Sequence, residues 1–414
     1  MTNRLTKTVT ILTTAALLAC AAAAFGAVHR PTLSEAAVTR TSTHASRGSV
    51  VSAVRVGHAT AAQLDAAAVD LPGTPHAIHD VTLYRLIYRT IDHDNRPITA
   101  SGLVVLPDGQ RGALTATEYL HGSTSTKALA PSVDLDSDDA LVPEALFAGQ
   151  GLVSLAPDYL GLGLGPGLHP YLDTKTETTA SIDLLLAARS FTTRHGVTLK
   201  RDVLVTGFSQ GGRATLGVGR ALSRGEAGPF RLGELRAVAG PFDLLRTELP
   251  AALDGRVLPQ AATAYLAHFV TAWDRTVGLY DKPEDAFRKP YAAKVEGLFD
   301  GLHTPEEISG SLPDSPDKLF TPAFLAQLKH PGGRYLRALQ EADAICHDWT
   351  PRVPVHLYSG TEDTTVIPAN ADVCAAAFRS RGAEVTVHSM GPVDHVGTAG
   401  AAYPEIIRAF GRWA

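Results

Sequence analysis

Hydrophobic and polar positions in this chain repeat with two periods, one typical of strands and one typical of helices. Apolar or alternating runs predict strands at 81–92, 97–107, 113–120, 152–157, 202–206, 234–240, 353–360 and 383–389. Amphipathic stretches between several of these runs predict helices, and some of those helices stop at a glycine such as Gly196. Because strands and helices alternate, the pattern predicts an α/β fold with a mainly parallel sheet flanked by helices.

The alternation is interrupted after the sixth predicted strand, 234–240. Residues 242–346 contain helical patches and proline-rich turns without a convincing strand, and the alternation resumes in 347–414. We therefore expect a core formed by 79–241 and 347–414, with a helical cap, 242–346, inserted over the edge of the sheet where its strands end.

The first residues have the composition of an export signal. Arg4 and Lys7 are followed by an uncharged apolar stretch with small residues near its end, so 1–27 is predicted to be a signal peptide. Residues 28–78 are rich in Ala, Thr, Ser and Val without sustained periodicity and are interpreted as a linker and N-terminal arm. The prediction is a secreted protein. The alternative is a protein anchored to the cell surface through a lipidated Cys20, whose surroundings resemble a lipobox.

Composition narrows the choice of partners. The chain has 414 residues, of which 45% are hydrophobic and 19% charged, with a formal net charge of -5. No run rich in lysine and arginine is visible, so a nucleic-acid partner is not expected. No CxxC or HExxH spacing occurs, so no metal site is expected either. We expect a monomer, for which the cap or a lipidated Cys20 is a candidate contact with a membrane or lipid surface.

Two cysteines remain after the predicted signal, Cys346 and Cys374. In an exported protein such a pair is usually oxidised, and the pair is therefore predicted to form a disulfide. The alternative is two separate buried thiols.

A nucleophile is suggested by Gly207-Phe208-Ser209-Gln210-Gly211, which has the pattern GxSxG. A short apolar strand leads directly into the pattern and an amphipathic helix follows it, as in the nucleophile elbow of the α/β-hydrolase fold. The glycines are needed because side chains two residues before and after Ser209 would collide in so tight a turn. The backbone amide of Gln210, at the start of the helix, can donate to an oxyanion.

A serine hydroxyl needs a base, and in this fold the partners follow in the order serine, acid, histidine. His395 lies between the last strand and the last helix, where the base is expected. Asp363 lies just after the strand 353–360 and is the predicted acid, which would orient the imidazole. Glu362 and Asp394 are the alternatives for the acid.

Two loops are candidates for contact with a substrate. After the third predicted strand, Gly122 or Ser123 could supply the second oxyanion donor, and His121 beside them is a candidate binding residue that also shapes the loop. After the fourth predicted strand, Tyr159 is a second candidate binding residue. The alternative for this loop is a purely structural turn, with Asp158 in a buried hydrogen-bond network.

Together these motifs resemble the secretory lipase family of α/β-hydrolases, over about residues 80–414. The resemblance rests on His121-Gly122, PDYLGLG (157–163) with His169-Pro170-Tyr171, GFSQGG (207–212), GTEDTTVIP (360–368) and DHVG (394–397). It implies a catalytic triad that falls on Ser209, Asp363 and His395, a helical lid, carboxylic-ester or triacylglycerol substrates, and no cofactor.

The expected function is therefore the hydrolysis of carboxylic esters, as in a lipase or esterase, through an acyl-enzyme on Ser209. The sequence leaves two alternatives open. One is a serine peptidase of the same fold, and the other is a binding protein on a hydrolase scaffold without catalysis.

Overall fold

The structure is a computed structural model that describes residues 46–135 and 138–414, with the backbone alone for 138–143. The predicted signal peptide, 1–27 with Cys20, lies outside the described residues, and so does the first part of the predicted arm. Within the described part of the chain, no helix is long and apolar enough to cross a bilayer.

A nine-stranded sheet forms the centre of the protein. Its strands are β1 (Val50–Ala59), β2 (Val81–Ile91), β3 (Pro97–Pro107), β4 (Gly112–Leu120), β5 (Val153–Pro157), β6 (Val197–Phe208), β7 (Arg231–Val238), β8 (Val355–Ser359) and β9 (Val385–Ser389). The order across the sheet is β1-β2-β3-β5-β4-β6-β7-β8-β9. The pairs from β5 to β9 are parallel, whereas those linking β1, β2, β3 and β5 are antiparallel. The predicted mainly parallel sheet is confirmed.

Helices cover both faces of this sheet and also form a separate block above it. In chain order they are α1 (Ala61–Ala67), α2 (Asp138–Gly149), α3 (Thr174–Arg194), α4 (Gln210–Ser223), α5 (Leu249–Asp254), α6 (Pro259–Val277), α7 (Pro283–Ala286), α8 (Val295–Leu298), α9 (Pro305–Ser311), α10 (Pro316–Leu319), α11 (Pro322–Lys329), α12 (Gly333–Asp343), α13 (Ala369–Arg379) and α14 (His395–Gly411). Side chains of α3, α4 and α13 share one hydrophobic core with the sheet. Those of α2 and α14 share a second core.

The helical cap lies between β7 and β8. It begins with a π-helical segment, Leu244–Glu248, continues through α5 to α12, and has its own hydrophobic core around Phe269, Trp273 and Phe320. The predicted insertion is therefore present. It follows the seventh strand rather than the sixth, because one strand near the N-terminus was not predicted.

That strand corrects the interpretation of 28–78 as a linker and arm. Residues Val50–Ala59 form β1, which pairs antiparallel with β2, and α1 follows with a capping box at Thr60. As the edge strand, β1 is paired on one side only and most of its side chains are partly or fully exposed. Such a strand lacks the alternation of apolar and polar residues by which a half-buried strand is recognised.

Cys346 and Cys374 form a disulfide, as predicted. The bridge joins the end of the cap to α13, and Asp363 lies in the segment between the two cysteines. The linkage thus restrains the part of the chain that carries the predicted acid.

Candidate active site

Ser209 lies at the turn between β6 and α4, where the backbone is strained. Its φ is 57° and its ψ is -119°, a conformation that non-glycine residues seldom adopt. The turn is held by two backbone hydrogen bonds, from the Ser209 amide to the oxygen of Val238 at 2.9 Å and from the Arg213 amide to the Ser209 oxygen at 3.1 Å. This is the geometry of a nucleophile elbow, which presents the hydroxyl at the carboxyl end of the sheet.

The two glycines of the pattern are required by space. A methyl group on Gly207 would come within 2.5 Å of the Gly211 oxygen, and one on Gly211 within 1.8 Å of the Leu120 oxygen. Both contacts are with backbone atoms, which cannot move aside as a flexible side chain can. The elbow therefore tolerates only glycine at these positions.

Ser209, His395 and Asp363 meet in one chain of hydrogen bonds. The Ser209 Oγ lies 2.9 Å from His395 Nε2, and His395 Nδ1 lies 2.7 Å from Asp363 Oδ2. Because Nδ1 faces a carboxylate, we assign the proton of the neutral ring to Nδ1, which leaves Nε2 free to accept from the serine. All three residues are buried, with 8% exposure or less.

Asp363, the predicted acid, is held by backbone donors. The other carboxylate oxygen of Asp363, Oδ1, accepts from the amides of Thr365 and Val366, each at 2.9 Å. The two alternative acids lie elsewhere. Glu362 is exposed, and Asp394 caps α14 by accepting from the Gly397 amide at 2.8 Å. Of the three candidates, only Asp363 contacts the imidazole.

The predicted oxyanion donors lie beside Ser209. A methyl group placed on Gly122 would be 3.7 Å from the Ser209 Cβ, so the loop after β4 passes directly next to Ser209. The amide of Gln210 is the first of α4 and has no acceptor within that helix. Next in the loop, the Ser123 hydroxyl shares a hydrogen bond of 2.7 Å with the hydroxyl of Tyr171.

The side chain of Gln210 is fixed by a buried network that the sequence did not reveal. Nδ1 of His169 donates to the Leu160 oxygen at 2.9 Å, so its Nε2 accepts from Gln210 Nε2 at 3.0 Å. The same amide nitrogen donates to Glu177 at 2.7 Å. Burial lowers the pKa of His169 to about 4 and raises the pKa of Glu177 to about 7. A neutral His169 is the form that this network requires.

His121 and Tyr159, the two candidate binding residues, are both buried. Tyr159 is 1% exposed, and its hydroxyl donates to the His121 oxygen at 3.3 Å. The His121 ring packs on the Tyr159 ring, and its Nδ1 donates to the Gly122 oxygen at 2.7 Å. Both residues thus support the loop after β4 through contacts with its backbone, and their contact with a substrate stays a prediction. The structural alternative for this region holds, since Asp158 is buried and accepts from Ser101 and Ser132.

A cavity of about 70 Å³ opens on Ser209 beneath the cap. Most of its wall is apolar and comes from the cap and the loops below it. The residues that line it are Tyr171, Leu172, Ser209, Pro241, Leu244, Glu248, Leu249, Ala252, Val257, Ala262, Tyr265, Phe269, Thr365 and Val366. Apart from Ser209, none of the predicted site residues belongs to this wall. Tyr171 belongs to the His169-Pro170-Tyr171 motif, but nothing in the sequence indicates that it lines a cavity. Periodicity alone also cannot show which cap residues face inward.

Comparison with models of known protein families and with curated proteins finds no match. Solved structures do match. A Legionella pneumophila protein described as a hydrolase has a TM-score of 0.80 and 25% identity, over 88% of this chain and 98% of its own. The rice cell wall degrading esterase LipA from Xanthomonas oryzae has a TM-score of 0.76 and 26% identity, over 88% and 97% of the two chains. Candida antarctica lipase A in its closed state shares the fold, with a TM-score of 0.63 and 15% identity over 86% and 79%.

The sheet order, the elbow and these likenesses define the chain as an α/β-hydrolase. Within this class it is a carboxylic ester hydrolase of the lipase and esterase type.

Proposed function

We propose that the protein is an exported serine esterase in which Ser209 attacks the ester carbonyl, His395 serves as base and acid, and Asp363 orients the imidazole. The observation that carries the proposal is the hydrogen-bond chain of 2.9 Å and 2.7 Å through the two ring nitrogens of His395. The first member of this hydrogen-bond chain, Ser209, lines a cavity whose wall is mainly apolar.

In the first half of the reaction, the Ser209 Oγ bonds to the carbonyl carbon while its proton passes to His395 Nε2. The carbonyl oxygen becomes an oxyanion, which accepts from the amide of Gln210 and from an amide of the loop at Gly122 and Ser123. When the oxyanion collapses, the bond to the alcohol oxygen breaks, and His395 returns its proton to that oxygen. The products of this half are the free alcohol and an ester on Ser209.

Water completes the cycle. It bonds to the acyl carbon as His395 takes one of its protons, and the second oxyanion collapses with release of the carboxylic acid and return of the proton to Ser209. The Asp363 carboxylate stays ionised throughout and stabilises the imidazolium that forms in each half.

The test compares Ser209→Ala with wild type on p-nitrophenyl butyrate. We expect kcat/KM to fall by about 10³-fold or more, because the nucleophile is lost while binding remains. Ser380→Ala, which alters an exposed serine at the end of α13, is the matched control and is expected to keep full activity. A fluorophosphonate should add one covalent adduct at Ser209 in wild type. Full activity of Ser209→Ala would overturn the proposal, and faster cleavage of aminoacyl or prolyl nitroanilides than of esters would identify a peptidase.

Export is supported by the disulfide, because such bonds persist in oxidising compartments. Expression of the full chain in a bacterial host, followed by mass analysis of the mature N-terminus, tests this part. Cleavage near residue 27 with the enzyme in the medium is the expected result. A product that begins with a lipidated Cys20 would instead indicate attachment to the cell surface, and an uncleaved intracellular chain would contradict export.

A further inference from the structure

Glu248 is an acidic residue in the mainly apolar wall of the cavity above Ser209. It is the last residue of the π-helical segment with which the cap begins, and α5 follows it directly. Nearby wall positions are apolar, such as Leu249 and Ala252. Acidic side chains are rare in such surroundings unless a partner or a function holds them there.

One oxygen of the Glu248 carboxyl group is fully used. Oε2 accepts from Asn370 Nδ2 at 2.6 Å and from the Ile367 amide at 3.3 Å. The orientation of the Asn370 amide group follows from its other contacts. Its Oδ1 accepts from the Asp243 amide at 3.1 Å, and its Nδ2 also donates to the Ile367 oxygen at 3.1 Å. Oε2 of Glu248 therefore acts as an acceptor.

The other oxygen, Oε1, makes no hydrogen bond within the described residues. It is not fully buried, so it remains accessible. Because Glu248 lines the cavity, we infer that this oxygen faces it. Burial raises the pKa of Glu248 to about 8, and the nearby charge of Asp363 adds to the rise, against the opposing effect of the bonds from Asn370 and Ile367. The raised pKa favours the neutral acid at neutral pH, and we assign its proton to Oε1, the oxygen without a donor.

We propose that Glu248 is a specificity residue whose Oε1–H donates to an oxygen atom of the substrate arm that occupies the cavity. The preferred substrates are then esters in which this arm carries an ether, carbonyl or hydroxyl oxygen, rather than plain alkyl esters. The inference rests on the proposed esterase function of Ser209. Tyr265 and Thr365 add further polar groups to the same wall.

The selectivity has a simple physical origin. A buried donor that faces a methylene group loses its hydrogen bond to water and gains nothing in return, whereas one that faces an oxygen is satisfied. Replacing one methylene by oxygen at the right position should therefore raise kcat/KM by about fivefold or more. The effect should depend on a donor at residue 248 and not on its charge.

The experiment uses two matched pairs of esters with chains of equal length. The acyl pair is p-nitrophenyl hexanoate and p-nitrophenyl 3-ethoxypropanoate, with the propoxyacetate ester as a shifted position. The alcohol pair is hexyl butyrate and 2-propoxyethyl butyrate. The readout is the ratio of kcat/KM for the oxygen-bearing ester to that for its alkyl partner, so differences in overall activity between variants cancel.

Three variants separate the explanations. Glu248→Gln can accept with its oxygen and donate with its amide nitrogen, so it should retain the ratio of wild type in the pair that responds. Glu248→Leu removes the donor and should lower that ratio by about fivefold or more. Glu384→Leu alters an exposed acid just before β9 that does not line the cavity, and it should leave the ratio unchanged. Folding is checked by thermal unfolding, and Glu248→Met replaces the leucine variant if that variant does not fold.

A ratio in Glu248→Leu equal to that of wild type overturns the inference, and so does a wild-type enzyme without preference in either pair. Failure of the proposed function looks different. In that case Ser209→Ala hydrolyses the alkyl esters as well as wild type does, whatever happens at residue 248.

Discussion

At the scale of single residues, the two oxygens of Asp363 have different partners. Oδ1 accepts from the amides of Thr365 and Val366, and Oδ2 accepts from His395 Nδ1. In Asp363→Asn the amide oxygen would remain with the backbone donors, so the amide nitrogen would face the ring. His395 would then accept at Nδ1 and carry its proton on Nε2, the tautomer that cannot take the proton of Ser209.

We therefore expect Asp363→Asn to lower kcat for p-nitrophenyl butyrate by about 10³- to 10⁴-fold, with little change in thermal unfolding. Glu362→Gln alters the exposed neighbour and should retain wild-type rates, which controls for the change of charge. A loss of less than about tenfold in Asp363→Asn would mean that this carboxylate does not set the tautomer.

The residues of the site differ in how much their local sequence reveals. Ser209 is recognisable because glycines must flank it, and His395 and Asp363 because they follow strands in a fixed order. Glu248 stands in LRTELPAA, which has the composition of an ordinary exposed helix. It reaches the cavity only because the whole cap packs over Ser209, and no short pattern contains that information.

At the scale of elements, one buried ion pair links the elbow helix α4 to both ends of the cap. Arg213, with 0% exposure, donates to the Pro241 oxygen at 2.8 Å and lies 3.4 Å from Asp343. Asp343, at the end of α12, also accepts from the amides of Leu244 and Leu245 at 2.9 Å and 2.8 Å. The helix that follows the strained turn at Ser209 and the cap are therefore joined by one polar network.

Removing one partner of this pair should be costly. In Arg213→Leu the carboxyl of Asp343 loses its counter-charge in a buried site, and we expect the free energy of unfolding to fall by about 3 to 5 kcal/mol. Burial already raises the pKa of Asp343 to about 6, so the loss should be smaller near pH 5, where the group can protonate. Urea unfolding at pH 5 and pH 8 measures both effects.

The double variant Arg213→Leu with Asp343→Leu is the control, since it removes both charges. It should recover part of the lost stability, because no buried charge is then left without a partner. Equal stability of wild type and Arg213→Leu at pH 8 would show that the pair does not stabilise the junction.

Elements were predictable where burial imposes a period and were missed where it does not. The buried strands β4 and β5 lie close to their predicted positions, and the helix α3 ends at Arg194, just before the predicted stop at Gly196. Only the second half of β6 was predicted, because the run before it, from Val197 to Arg201, is short and ends in two exposed charged residues that break the alternation. β1 has partly exposed side chains on both faces, so only its pairing with β2 defines it as a strand.

At the scale of the whole molecule, the disulfide between Cys346 and Cys374 restrains the second part of the core. It closes a segment with a sequence separation of 28, which contains β8 and Asp363. For a loop of this length, the loss of chain entropy in the unfolded state stabilises the fold by about 3 to 4 kcal/mol.

We expect the double variant Cys346→Ala with Cys374→Ala to lose about this much free energy of unfolding, measured by urea unfolding. Wild type in reductant should resemble the double variant, and an unchanged midpoint in both would contradict a stabilising role.

The pH dependence of stability is also a property of the whole molecule, because buried groups contribute to it with opposite signs. Burial lowers the pKa of His169 and His356 to about 4, so the folded state binds fewer protons than the unfolded state between about pH 4 and 6.5, and stability rises with pH there. Glu118 acts in the other direction. It is fully buried in β4, neither carboxyl oxygen has a hydrogen-bond partner among the described residues, and burial raises its pKa to about 8.

Between about pH 4.5 and 8 the folded state therefore keeps the Glu118 proton that the unfolded state has released, and this group lowers stability as the pH rises, by at most about 1.4 kcal/mol per pH unit. Glu118→Gln removes the titration and leaves the histidines as they are. We expect the difference in unfolding free energy, variant minus wild type, to increase from pH 5 to pH 8 and to level off above that. Urea unfolding of both proteins at four pH values measures it. A constant difference would mean that Glu118 has the same proton affinity in the folded and the unfolded chain.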